Sequence, residues 1–144
     1  MIEPNFDLPA WASHCRDIAS EFAAPGLLKY VAPEAPWSKF SLNSTETHML
    51  STWRNAESIP AAQLRQYEAY LGEGLLREFS GRWVIVDPKD VGQPSPPSTR
   101  SLGIEYPDSG SIDVVSNFVQ HAYLAKVGNF WSQYFDINRM LISF

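Results

Sequence analysis

Apolar residues recur at helical spacing in several stretches of this chain, and two short runs are aromatic and β-branched instead. Trp11, Cys15, Ile18 and Phe22 stand four, three and four apart, which is one face of a helix. Asp7 offers an acceptor to first-turn amides and Pro9 lacks a donor, so the spacing predicts a helix over 7–24 that Pro25 and Gly26 stop. Pro25, Pro33 and Pro36 make 25–42 mostly loop, with a short strand at 39–42. Asn43 followed by Glu46 has the form of a helix start. It predicts a second helix over 44–56 with Met49, Leu50 and Trp53 on its apolar side.

The third helix has the strongest pattern. Leu64, Tyr67, Leu71, Leu75 and Phe79 repeat at three, four, four and four, with Ser58 as cap, Pro60 in the first turn and Gly81 as stop. Gly72 and Gly74 each cost about 1 kcal/mol against Ala inside a helix, so a second backbone is expected to pack closely there. Residues 82–86, Arg-Trp-Val-Ile-Val, read as a strand, and 102–106, Leu-Gly-Ile-Glu-Tyr, as the next. Between them four prolines and a glycine predict an exposed, mobile loop at 88–100. A fourth helix is expected to start at Ser111 or Asp113 and bury Val115, Phe118, Val119 and Ala122. Phe130 with Tyr134, and Trp131 with Phe135, then pair at spacing four in a short terminal helix. The sum is one α+β domain spanning residues 1–144: four to five helices packed on a small antiparallel sheet.

Charge narrows the function. Eleven Lys and Arg face sixteen Asp and Glu, a net charge of -5, with no basic cluster to neutralise phosphates, so nucleic acid is not an expected partner. The start of the chain has no basic and apolar leader, and no apolar run approaches a membrane span. A cytoplasmic protein without membrane contact is expected. Cys15 is the one cysteine; on the apolar stripe it reads as an inert core thiol.

Candidate chemistry is sparse. His14, His48 and His121 stand in no metal-ligand spacing, so no metal is expected. Gly72-Glu73-Gly74 lies inside a helix pattern and not between a strand and a helix, so it is no phosphate loop, and no cofactor is expected. Glu68, Glu73 and Glu78 come at spacing five. Projection puts Glu68 and Glu78 at the margins of the apolar stripe and Glu73 opposite it. They do not converge for acid–base work, and the expectation is no catalytic residue and no enzyme. If Glu73 were buried instead, it would need Arg82 or a Trp N–H as partner.

Two sites remain. From Ser101 to Ala125 there is no Lys or Arg, yet Glu105, Asp108 and Asp113 are present with Tyr106 among them. An acidic turn carrying an aromatic suits a basic protein surface, with the aromatic surface around Trp37 or Trp131 as the next choice. The other site is a small-ligand pocket between the third helix and the sheet, near Tyr70, Glu73 and Trp83.

Tyr70-Leu71-Gly72-Glu73 with Leu75, followed by Gly81-Arg82-Trp83-Val84, forms a Y-L-G-E-x-L … G-x-W pattern. It resembles small bacterial families with a helix, a G-x-W strand, a variable loop and a strand ending in a Y/F-P turn. The resemblance covers about residues 44–127 and carries no catalytic assignment. Similar small acidic domains are immunity proteins beside bacterial toxins. The resemblance therefore implies a protein-binding module, immunity- or antitoxin-like, that blocks a basic toxin by occlusion.

Overall fold

The computed structural model describes residues 5–18, 30–32, 34–87 and 100–142. Among them lie α1 (Leu8–Ile18), α2 (Lys39–Thr52), a 3-10 turn (Ala56–Ser58), α3 (Ala61–Phe79), β1 (Arg82–Val86), β2 (Ser101–Glu105), β3 (Ile112–Val114), α4 (Val115–Ala125) and α5 (Phe130–Ile142). The strands form one antiparallel sheet in the order β1-β2-β3. The helices pack against it, so the architecture is α+β. No described helix is long and apolar enough to cross a membrane. Residues 19–24 of the expected first helix, and the expected proline-rich loop apart from Arg100, lie outside the described residues.

Helix α3 is the axis of the core. Every residue from Tyr67 to Leu75 is buried, because α1, the sheet, α4 and α5 all pack around it. The apolar stripe predicted one buried face; the neighbours bury the whole circumference. Its end falls one residue before the expected glycine: Ser80 takes the left-handed conformation, φ 56°, and its N–H reaches Leu76 O.

Helix α2 starts earlier than its sequence suggests. Ser38 is the cap, its hydroxyl accepting from Ser41 N at 3.2 Å, so 39–42 is the first helical turn and not a strand. Its buried stripe is Ser41, Leu42, Thr45, Glu46 and Met49. Three of those five are polar, which hides the helical period from a hydrophobic reading. Asn43 caps nothing here: its Oδ1 accepts from Ser132 Oγ on α5 at 2.6 Å. Glu46 also serves α5 and not its own helix. Its two oxygens accept from Trp131 N at 2.8 Å and Phe130 N at 3.1 Å. A buried carboxylate thus closes the first-turn amides of another helix, where the dipole favours negative charge.

Where the fourth helix was expected to begin, the chain first makes a strand. Ile112 pairs with Glu105, Asp113 with Ile104 and Val114 with Gly103. Two β-branched residues alternating with Asp113 complete the free side of β2. Helix α4 then starts at Val115 without a side-chain cap.

Candidate functional site

The space between α3 and the sheet is filled. Trp83, on β1, lays its indole across Gly72, where an added Cβ would stand 2.0 Å from the ring. Trp37 covers Gly74 in the same way, at 2.4 Å. The two glycines therefore admit indole rings, not a second backbone. Trp37 Nε1 donates to Tyr70 O at 2.8 Å, and Tyr70 Oη donates to Pro36 O at 2.6 Å.

Glu73 lies between the two glycines, 2% exposed. It accepts from Trp83 Nε1 at 3.2 Å and from Arg77 Nε at 2.9 Å. The outward projection of Glu73 is thus corrected: it is a satisfied core carboxylate held by an indole N–H. Of the three residues expected at a ligand pocket, Glu73 and Trp83 meet as packing, while Tyr70 stacks on Trp37 and bonds to Pro36. The Trp83 indole fills the space beside Gly72, between α3 and the sheet, where the ligand pocket was expected. Glu68 is buried as well and is paired with Arg65 at 2.6 Å. Desolvation raises its pKa despite the arginine.

Cys15 is fully buried, and burial, then the carboxylates of Glu73 and Glu68, push its thiol well above the usual range. A thiol held protonated is a poor nucleophile. Trp37 and Trp131 are buried too and offer no aromatic surface. Among the described residues no group of three His, Cys, Asp or Glu is placed to hold a metal ion.

The acidic turn divides into three environments. Glu105 faces Arg82 across the β1–β2 pair, and Arg82 Nε donates to its Oε1 at 2.8 Å. The charge at Glu105 is neutralised by a residue 23 positions away in sequence, out of reach of any local charge count. Asp113 is half-buried and accepts from two phenols, Tyr106 Oη at 2.7 Å and Tyr134 Oη. Burial, then the bond and charge of Asp113, raise both tyrosine pKa values. Asp108 alone is exposed at the tip of the turn, and it enters no ion pair among the described residues. The turn is closed by Tyr106 N to Ser111 O at 2.9 Å and Gly110 N to Tyr106 O at 2.8 Å, with Gly110 at φ 72°. The tip therefore presents Asp108 in one place.

Three of the four expected residues, Tyr106, Asp108 and Asp113, line one groove of about 510 Å³. Its other wall comes from the end of α3 and from α5, with Phe79, Tyr134 and Leu141. A second cleft of about 340 Å³ shares Asp113 and Tyr134 and is faced by Phe118, His121 and Phe130. Among the described residues neither is lined by a Lys or Arg. Sequence reading missed Tyr134 and Leu141. A signal for the second was present: Ile137, Met140 and Leu141 stand three and four apart on a helix whose buried apolar residues, among those described, are Trp131 and Phe135, and all three are exposed, Leu141 by 68%.

Comparison of the chain with family models, with curated proteins and with solved structures finds no match.

Proposed function

We propose that this chain is a protein-binding module, an immunity- or antitoxin-like protein of the cytoplasm that blocks a basic toxin by occlusion and without catalysis. The observation that carries the reading is the groove beside the 106–111 turn. It joins Asp108, an exposed carboxylate that enters no ion pair among the described residues, to apolar walls, and none of its described lining residues is a cation. The exposed stripe of Ile137, Met140 and Leu141 continues the apolar surface along α5. An apolar centre with a charged rim is how protein interfaces are built, and unpaired rim charge steers an oppositely charged partner.

The test begins with affinity purification from the native cell to identify the partner, followed by association kinetics across salt concentrations. Asp108→Lys should slow association and flatten its salt dependence while leaving the melting temperature unchanged. Wild-type rates at every salt concentration would place the interface elsewhere. Asp113 is unsuited to charge reversal, because it holds two half-buried phenols.

A further inference from the structure

We infer that the groove beside the 106–111 turn receives a lysine side chain of the partner, its stem on the apolar wall and its ammonium at Asp108 and Asp113. The inference rests on the protein-binding reading above and adds the chemistry of the anchor. The groove, about 510 Å³, exceeds what one side chain needs and falls in the range of sites that enclose small groups. Phe79, Pro107 and Leu141 supply an apolar run on which a methylene stem can lie, and Leu141 is otherwise left largely in water. No Lys or Arg is among the described lining residues; the lining Glu78 is paired with Arg139 at 2.6 Å, which leaves Asp108 and Asp113 as the carboxylates without a cation among the described residues.

The two carboxylates also select between basic side chains. Arginine's planar fork matches the two oxygens of one carboxylate. At Asp113 each oxygen already accepts a phenol proton, from Tyr106 and from Tyr134, so that fork is not offered freely. The second carboxylate, Asp108, belongs to a different residue at the turn tip. An ammonium is a compact charge with three rotatable donors and can bond two separate carboxylates at once.

The probes are the Nα-acetyl methylamides of lysine, arginine and norleucine, titrated into the full chain and followed by amide NMR shifts. The lysine probe should give saturable shifts at Asp108 to Asp113 and at Tyr134. The arginine probe should bind more weakly and the norleucine probe should leave those amides unmoved. Asp108→Asn, at an exposed position where folding is not at stake, should weaken the lysine probe by about two- to fivefold, the worth of a solvent-exposed ion pair. Equal shifts from norleucine, tighter binding of arginine, or saturable lysine shifts elsewhere would each overturn the inference. The two readings fail separately. If Asp108→Lys abolishes partner binding and the lysine probe still does not bind, the anchor is wrong and the interface stands. If the probe binds and the variant leaves the partner's association unaltered, the lysine site stands and the protein-binding reading falls.

Discussion

Gly72 and Glu73 show how much at the residue scale is decided by what arrives from elsewhere in the chain. By propensity Gly72→Ala should stabilise α3 by about 1 kcal/mol. The Trp83 ring lies where the methyl would go, with Cη2 2.0 Å away, and the ring is itself held by its bond to Glu73. Overpacking of this kind costs about 1–3 kcal/mol or more, so Gly72→Ala should lower the denaturation midpoint. A rise in midpoint would mean the indole is free to move. Glu68 gives a pH-dependent outcome. Its folded pKa lies above the ordinary 4.5 because burial outweighs Arg65. The folded protein then holds a proton that the unfolded chain releases, so this residue's contribution is most favourable below about 4.5 and declines as pH rises through the folded value. Glu68→Gln, which keeps the neutral shape, should therefore look progressively less destabilising from pH 4.5 to pH 8 in urea melts. The opposite trend would show that the arginine, not burial, sets the charge.

At the scale of elements, Glu46 is the joint between α2 and α5. Its removal leaves the Phe130 and Trp131 amides without their acceptor, and each buried donor so stranded costs about 1–3 kcal/mol. Glu46→Ala should lose about 2–6 kcal/mol on that basis, with hydrogen exchange quickening first at Phe130 and Trp131. Uniform loss along the chain would deny the joint its local role. The same element explains what a sequence reading can reach. The stripe of Leu64, Tyr67, Leu71, Leu75 and Phe79 was legible because apolar burial repeats at the helical period, and the strands at Trp83 and Ile104 because their side chains favour a pleated surface. The start of α2 was not, since Ser41 and Glu46 are buried by hydrogen bonds that no hydropathy pattern records, and Thr45 is buried with them on the same stripe. The β3 strand was not either: Ile112 to Val114 is three residues long and owes its form to the open side of β2.

At the scale of the molecule, the chain carries an excess of five negative charges, and most of those near the candidate site are already engaged. Arg82 neutralises Glu105 and Arg139 pairs with Glu78 at 2.6 Å, while two tyrosines hold Asp113. The acidic turn was legible from the missing cations between Ser101 and Ala125, but which carboxylate stays free depends on side chains from β1 and α5 that only the fold brings near. Asp108 beside an apolar groove is what remains for a partner. Hydrogen exchange of the chain alone and bound to its native partner tests that most directly. The amides of the 106–111 turn and the second half of α5 should exchange more slowly in the complex, with α1 and the outer side of α4 unaffected. Protection confined to α1 and α4, with the turn exchanging as fast as in the free chain, would contradict it.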